Sequence, residues 1–248
     1  MLGDRQQPAG HAPLLSAPGA FPSGPLERAG RLFMQRCCKL RVTTKAPFPN
    51  APFMVCANHR SHTDSVAIMT ALGLPFSACG LIAAEDYFFT NRAKLSVISR
   101  VLTLIPISRQ PTPRAFKKTV AKCERFVADG GQVLVSYPEG TRNTSDGLKS
   151  FKRGPAALAI RLGLCILPGF IDGTDRVMPK GQLVPRCNPV TVHFGTPINA
   201  NAMAGSTNFH AVSSALTSLV QEQVSNLAGM RYSNTTPIYE SDSKLYEG

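Results

Sequence analysis

The chain has 248 residues, enough for one well-packed domain that needs neither disulfides nor a structural metal. Its seven cysteines, an odd number without any C-x-x-C spacing, argue against a disulfide framework or a zinc site and predict buried free thiols in a reducing compartment. The formal net charge of +12 predicts an anionic partner: phosphate groups, nucleic acid, an anionic membrane or an acidic carrier protein.

The N-terminal segment, residues 1–25, is rich in proline and glycine and contains no apolar run. This composition predicts a disordered tail rather than a signal peptide, because it offers too little apolar surface to order itself. The last residues, 229–248, show no periodicity and are also expected to form a tail.

A basic amphipathic helix is predicted over residues 26–40, within a segment, 26–45, that is a candidate for membrane contact. Apolar residues recur at spacings of three and four, while basic residues fall on the other side. The apolar set is Leu26, Ala29, Phe33, Cys37 and Leu40, and the basic set is Arg28, Arg31 and Lys39. Such a helix either lies on an anionic membrane or packs as a surface helix on its own domain.

Strand-like and helix-like segments then alternate along the chain. Strands are predicted over 53–57, 77–84, 102–107, 133–137, 164–171 and 189–194, and helices over 64–73, 113–128, 154–162 and 207–228. The uncharged stretch 65–84 is interpreted as a helix followed by a strand, because glycine and proline interrupt it too often for a membrane span. The alternation predicts a single α/β domain over 50–228, with helices covering a mostly parallel or mixed sheet.

The sharpest chemical signal is the segment Asn58-His59-Arg60-Ser61-His62-Thr63-Asp64, between a predicted strand and helix. Asp64 can turn back toward His59 and fix the tautomer of its ring, which makes the other ring nitrogen a general base. If an acceptor substrate brings its own hydroxyl, His59 can take that proton while the oxygen attacks a thioester carbonyl. No acyl-enzyme intermediate is then needed. The competing interpretation is a capping box that only starts the helix, in which Ser61 and Asp64 are the capping residues.

A second signal, Tyr137-Pro138-Glu139-Gly140-Thr141-Arg142, also follows a predicted strand. Gly140 allows close approach of a ligand to the backbone, and Arg142 offers a planar fork for phosphate oxygens. Glu139 either accepts hydrogen bonds from substrate hydroxyls or holds Arg142. A plain turn with a surface ion pair is the alternative.

Two further basic groups follow apolar segments. Arg109 lies two residues beyond the predicted strand 102–107, and Lys149, Lys152 and Arg153 form a cluster beyond Arg142. These cations are candidates for a phosphate pocket or for docking an acidic carrier.

Together these segments resemble the glycerophospholipid acyltransferase family, typified by 1-acyl-sn-glycerol-3-phosphate acyltransferase. Five blocks occur in the order of the family, over about residues 52–198. They are Asn58-His59-x-Ser61-x-x-Asp64, Ile107-Ser108-Arg109, Tyr137–Arg142 followed by Phe151-Lys152-Arg153-Gly154, Ile166-Leu167-Pro168-Gly169, and Val192–Ile198. Ser108 replaces the usual neighbour of the arginine in this block.

The resemblance implies acyl transfer from acyl-CoA or acyl-carrier protein to a lysophospholipid, first of all 1-acyl-sn-glycerol-3-phosphate. It implies His59 as the base with Asp64 as its partner, and it implies no metal and no bound cofactor. Acceptor phosphate and glycerol would be bound by Arg109, Glu139, Gly140, Thr141 and Arg142, with Asn58, Ser61, Lys152 and Arg153 in support. Many members begin with hydrophobic helices, whereas this chain has only the amphipathic one, so peripheral binding to the cytoplasmic face of a membrane is expected.

Other functions stay open at this point. Other acceptors are glycerol-3-phosphate, lyso-ornithine lipid and further lysolipids. A metal-dependent hydrolase would use His59, His62 and Asp64 as ligands. A nucleic-acid-binding module would explain the basic charge, but it lacks aromatic residues interleaved with the cations, so no nucleic acid partner is expected.

Overall fold

The structure is a computed structural model that describes residues 24–85, 102–108, 112–145, 147–179, 181–182, 184–203 and 208–229. Nearly all of the two expected tails lies outside these ranges, and so does the candidate residue Arg109.

Eight strands and six α-helices form the described part of the chain. The strands are β1 Arg41–Thr44, β2 Phe53–Ala57, β3 Cys79–Ala84, β4 Thr103–Ile107, β5 Val133–Ser136, β6 Cys165–Asp172, β7 Thr191–Phe194 and β8 Ile198–Asn199. The α-helices are α1 Pro25–Leu32, α2 Asp64–Leu72, α3 Pro113–Ala128, α4 Gly154–Leu162, α5 Thr174–Val177 and α6 Phe209–Gly229. The predicted alternation is confirmed, with shifts of a few residues at the ends of the elements.

All eight strands belong to one mixed sheet, in the order β1-β7-β6-β2-β5-β3-β4, with β8 beside β6. Neighbours are parallel except where β6 meets β7 and β8. Strand β4 lies at an edge, where the missing N–H of Pro106 is tolerated, as the sequence predicts. The predicted α/β class with a mostly parallel, helix-covered sheet is therefore confirmed.

The sheet is covered on both faces, which explains the uninterrupted apolar sequence of β2. All five of its residues are buried. Phe53 and Val55 belong to a core shared with α2, whereas Met54 and Cys56 belong to a second core shared with α3, α4 and α6. The central strands are therefore held from both sides, and the loops at their ends start from fixed positions.

The helix ends follow local chemistry that is visible in the sequence. Thr112 caps α3, because its hydroxyl oxygen accepts a hydrogen bond from the Ala115 amide at 3.2 Å, and Pro113 occupies the first turn. Gly163 ends α4 at φ 68°, in the left-handed region where glycine carries little cost.

The N-terminal helix differs from the predicted one in length. The α-helix ends at Leu32 and continues as a π-helical turn, Phe33–Cys37. Strand β1 then begins at Arg41 and pairs with β7. The sequence analysis predicts neither β1 nor the short β8, because their partners lie far away in the chain and their own patterns are weak.

The buried face of α1 is also not the predicted apolar face. Glu27 is buried, and its carboxylate accepts hydrogen bonds from Arg31 at 3.0 Å and from the Phe76 amide at 3.3 Å. The Arg31 guanidinium also lies 4.7 Å from the centre of the Phe76 ring. This polar anchoring turns Leu26 and Leu32 outward, where they are 51% and 53% exposed.

Segment 65–84 forms α2, a 3₁₀ turn and β3, as the sequence predicts. Among the described residues, no helix combines the length and the apolarity that crossing a bilayer would require.

Candidate active site

The two strongest sequence motifs lie side by side because their strands are neighbours. Strands β2 and β5 are parallel, with Cys56 opposite Ser136 near their carboxyl ends. The His59 loop, residues 58–63, leaves β2, and the Tyr137 loop, residues 137–145, leaves β5 at the same edge of the sheet. Ligands commonly bind at this edge in α/β folds.

His59 and Asp64 form the pair that the sequence predicts. His59 Nδ1 and Asp64 Oδ2 are 2.8 Å apart, the carboxylate is fully buried, and the imidazole is 20% exposed. Since an ionised carboxylate only accepts hydrogen bonds, Nδ1 carries the proton and donates it. Nε2 is therefore the ring nitrogen with a free lone pair for a substrate proton.

The same carboxylate oxygen also organises the start of α2. Asp64 Oδ2 accepts hydrogen bonds from the backbone amides of Arg60 at 2.7 Å and Ser61 at 2.9 Å. Half of the capping-box interpretation therefore holds, since Asp64 reaches back to the preceding amides. Ser61 does not complete the box: its hydroxyl contacts Thr63 and donates to the Met178 carbonyl. The capping and histidine-orienting interpretations describe one arrangement.

Tyr137 covers one face of the His59 ring, a contact that the sequence analysis does not predict. The ring centroids are 4.2 Å apart and the ring planes differ by 10°. The Tyr137 hydroxyl contacts the Ser65 hydroxyl at 2.9 Å. Burial raises the pKa of Tyr137 well above its ordinary value, and the charge of Asp64 raises it further, so the phenol stays neutral.

Glu139 braces the two loops from inside the protein. Its carboxylate is 3% exposed, and its two oxygens accept hydrogen bonds from the His59 amide at 2.9 Å and the Lys149 amide at 3.1 Å. The backbone N–H of Asn143 donates a hydrogen bond to the His59 carbonyl at 2.6 Å. The backbone of the histidine is therefore held from the Tyr137 loop on both its N–H and its C=O.

The remaining Tyr137-loop candidates surround a tight turn. Gly140 has φ 71°, in the left-handed region that favours glycine, and a Cβ there would lie 2.7 Å from Lys152 Nζ, the flexible end of a side chain that could move aside. Thr141 is exposed and Arg142 is half-buried, and Lys149 Nζ donates to the Arg142 carbonyl at 3.4 Å. Cationic groups therefore gather around this turn.

Three supporting candidates hold the fold around the site. The Asn58 side chain exchanges two hydrogen bonds with the backbone of Ile171 in β6, at 2.9 and 2.7 Å. Ser61 ties its loop to Met178, as described above. Arg153 lies apart from the cations of the turn, because its guanidinium donates to Ser213 of α6 at 3.1 Å.

The second family block follows β4, which is separated from β5 by β3. Ser108 is exposed, and Arg109 lies outside the described residues. Its expected role in binding phosphate therefore stays a prediction.

The residues proposed for a metal-dependent hydrolase do not form a ligand cluster. His62 is exposed on the His59 loop, whereas Asp64 points its bound oxygen at His59 and two amides. Within the described ranges, no group of three or more histidine, cysteine or acidic side chains could hold a metal ion.

A cavity of about 340 Å³ lies between the two loops and α6. Its lining includes Arg60 and Glu139 from the loops, and Gln221 and Ser225 from the helix. Arg60 also contacts Asp175 at 3.4 Å, so its charge is partly balanced. The described residues that line this cavity are a mixture of polar and apolar side chains, and His59 is not among them.

Sequence reasoning missed the side chains that act on His59 from a distance in the chain. The motif contains Tyr137 but predicts no contact of its ring with His59, and the sequence patterns predict no role for Ser65 or Asn143. The adjacency of the strands β2 and β5, and the position of Asn143 directly after the motif, are the signals that point to them.

Comparisons with known proteins agree with this geometry. The family described as Acyltransferase matches residues 39–172, more than half of the chain, and includes the whole of both loops. The chain therefore belongs to the acyltransferase family, as the sequence motifs predict.

Individual relatives carry a narrower name. A 1-acyl-sn-glycerol-3-phosphate acyltransferase from Chlamydomonas reinhardtii is 28% identical over 166 residues, which are 63% of this chain and 46% of that protein. Human 1-acyl-sn-glycerol-3-phosphate acyltransferase alpha is 29% identical over 164 residues, 63% of this chain and 56% of that protein. The chain spans about half the length of these curated relatives.

A solved structure shares the fold. The crystal structure of the 1-acyl-sn-glycerophosphate (LPA) acyltransferase PlsC from Thermotoga maritima aligns with a TM-score of 0.55 at 20% identity. The alignment covers 82% of this chain and 80% of that chain. At this identity the likeness supports the α/β architecture.

The bracing role of Glu139 predicts a loss of stability in Glu139→Gln. The new amide nitrogen cannot accept a hydrogen bond, so one buried backbone N–H loses its partner, at a cost of about 1–3 kcal/mol. Urea unfolding measures the change. Glu124→Gln, on the exposed side of α3, is the matched control and should change the free energy of unfolding by less than about 0.5 kcal/mol. Equal stability of the two variants would contradict the bracing role.

Proposed function

We propose that this protein transfers a fatty acyl group from a thioester to the hydroxyl of a lysophospholipid, with 1-acyl-sn-glycerol-3-phosphate as the first acceptor. The observation that carries this proposal is the 2.8 Å contact of His59 Nδ1 with the buried carboxylate of Asp64. Membership of the acyltransferase family and the names of the relatives support it.

The proposed reaction needs no group of the protein to become acylated. Nε2 of His59 takes the proton of the acceptor hydroxyl while its oxygen attacks the thioester carbonyl. Asp64 stabilises the imidazolium that forms, because its charge lies beside Nδ1. The tetrahedral intermediate collapses, the C–S bond breaks, and the departing thiolate takes the proton from Nε2. The products are the ester and the free thiol.

The acceptor phosphate is assigned to the cations of the Tyr137 loop and its flank. Arg142, Lys149 and Lys152 lie around the Gly140 turn, next to the loop that carries His59. Arginine and lysine both bind phosphate oxygens by charge-assisted hydrogen bonds. Acyl-CoA and acyl-carrier protein are both anionic, so either donor suits a chain with a net charge of +12.

Replacing His59 with alanine should remove transfer and leave the fold intact. A positioned general base contributes roughly 10²–10⁴-fold to turnover, so a loss of that size is expected. The measurement is transfer of a radiolabelled acyl group from acyl-CoA to 1-acyl-sn-glycerol-3-phosphate, with circular dichroism to check folding.

His62→Ala, on the same loop, is the matched control and should keep wild-type turnover. An equal loss in both variants would show that His59 has no role of its own on the loop, and wild-type turnover in His59→Ala would disprove the assignment of the base. The same assay with glycerol-3-phosphate and lyso-ornithine lipid separates the acceptors. We expect the highest kcat/KM with 1-acyl-sn-glycerol-3-phosphate.

We also propose that the outward face of α1 binds an anionic membrane surface peripherally. Leu26 and Leu32 are half exposed, and Arg28, Arg36 and Lys39 are exposed on the same segment. Exposed leucines beside cations suit an interface, where the apolar side chains enter the acyl boundary and the cations meet the headgroups. The lipid substrate of the proposed reaction lies at that boundary.

The double variant Leu26→Glu/Leu32→Glu should lose most of its binding to vesicles of phosphatidylcholine and phosphatidylglycerol. Co-sedimentation measures it, and added salt should weaken wild-type binding because it screens the cations. Val184→Glu/Phe209→Glu, which changes two other exposed apolar residues, is the matched control. Equal binding of the two double variants would contradict the role of α1.

A further inference from the structure

The His59 ring is fixed from two directions. Its Nδ1 edge donates to Asp64 at 2.8 Å, and one of its faces lies parallel to the Tyr137 ring at 4.2 Å between centroids. The first contact sets the tautomer. The second contact blocks rotation of the ring out of its plane, because any tilt would drive the imidazole into the phenol.

Tyr137 is itself held against the same helical turn that supplies the carboxylate. Its hydroxyl meets the Ser65 hydroxyl at 2.9 Å, and Ser65 is the residue after Asp64 in the buried first turn of α2. At its other end, Tyr137 follows directly from the buried strand β5. The Tyr137 ring is therefore held at its hydroxyl by Ser65 and at its backbone by β5, which fixes its position relative to the Asp64 carboxylate.

We propose that Tyr137 is a positioning residue that holds the His59 imidazole from its face and stabilises the imidazolium formed during transfer. This inference rests on the proposed acyl transfer with His59 as the base. The face of an aromatic ring attracts a cation, so the contact is stronger when the imidazole is protonated than when it is neutral. An interaction that strengthens toward the transition state raises kcat without tightening the binding of substrates.

The phenol does not serve as a proton donor in this account. Burial raises the pKa of Tyr137 well above its ordinary value, so the hydroxyl keeps its proton throughout. The aromatic face is what acts on His59, and the hydroxyl serves to orient that face through Ser65. Phenylalanine should therefore replace tyrosine with little loss, whereas leucine should not.

The test compares Tyr137→Leu and Tyr137→Phe in the acyl-transfer assay. Tyr137→Leu should lower kcat about tenfold, with both KM values within about twofold of wild type, since loss of a partly buried cation–π contact reaches this size. Tyr137→Phe should stay within about threefold of wild type. The control is Phe126→Leu, whose half-buried ring lies against Gly131 at the opposite, amino-terminal edge of the parallel strands. It should lower the melting temperature but not kcat.

Three results would overturn the inference. If Tyr137→Leu leaves kcat unchanged, with or without a rise in KM, the stacking does not act on the chemical step. A loss in Tyr137→Phe as large as in Tyr137→Leu would assign the effect to the hydroxyl. Absence of transfer by the wild-type protein would instead remove the proposed function, and the inference with it.

A second, independent observation concerns two exposed cysteines that meet away from the active site. Cys37 ends the π-helical turn after α1, and Cys187 precedes β7. Both are exposed free thiols, and the Cys187 thiol is in hydrogen-bonding contact with that of Cys37.

Backbone pairing enforces this contact. The Val190 amide donates to the Cys38 carbonyl at 2.9 Å, and the Arg41 amide donates to the Val190 carbonyl at 2.9 Å. The two segments therefore run side by side just before they enter the parallel pair β1 and β7. The thiols therefore meet because the sheet aligns their chains.

The geometry points to a reversible disulfide site formed by Cys37 and Cys187, which would join the π-helical turn after α1 to the segment before β7. With oxidised glutathione as the oxidant, one cysteine thiolate of the protein attacks the glutathione disulfide and releases one glutathione thiolate. The second cysteine then attacks the mixed disulfide and releases the other. Two protein thiols and one glutathione disulfide thus become one protein disulfide and two glutathione thiols. The contact with Cys37 raises the pKa of Cys187, so formation should accelerate as pH rises toward 9.

Peptide mapping by mass spectrometry tests the site on the full chain, incubated with oxidised glutathione at pH 8 and then alkylated. We expect a Cys37–Cys187 cross-link that dithiothreitol removes and that Cys187→Ser abolishes. Cys165→Ser, at a half-buried thiol, is the matched control and should leave the cross-link in place. Glutathione adducts without a cross-link, or a bond between Cys37 and Cys38, would overturn the proposal.

Discussion

One carboxylate oxygen connects the fold to the chemistry of this protein. Asp64 Oδ2 accepts hydrogen bonds from two backbone amides and from the His59 ring, all between 2.7 and 2.9 Å. A buried charge is costly unless it is hydrogen-bonded, and among the described residues Asp64 Oδ1 is buried without a hydrogen-bond partner. The contacts to Oδ2 therefore carry the compensation, so the loop and the ring must take their positions together. The same contacts therefore fix both the start of α2 and the orientation of the His59 ring.

The sheet supplies the second constraint. Because β2 and β5 are parallel neighbours, the two loops that carry the chemistry leave the same edge, and Glu139 joins their backbones. Tyr137 reaches the face of the histidine for the same reason. Glu139 and Asn143, which hold the backbone of His59, are buried, whereas the cations of the Gly140 turn lie outside them.

Sequence patterns predicted those parts of the molecule that depend on local chemistry. Strand β2 and the ends of α3 and α4 follow from apolar runs, a threonine cap and a terminal glycine, and the pairing of His59 with Asp64 follows from their spacing. The patterns failed where a distant partner decides. Glu27 turns inward because of the Phe76 amide and Arg31, and β1 exists because of β7. The stacking of Tyr137 on His59 required knowing which strands are neighbours.

The central claim is that Asp64 holds His59 as a neutral base with Nε2 ready to take a proton. Nitrogen NMR of protein labelled with ¹⁵N-histidine, assigned by comparison with His59→Ala and recorded at pH 8, reads the tautomer directly. The account predicts a proton on Nδ1 and a bare, pyridine-like Nε2, with that preference lost in Asp64→Asn. A protonated Nε2 in the wild-type protein would contradict it.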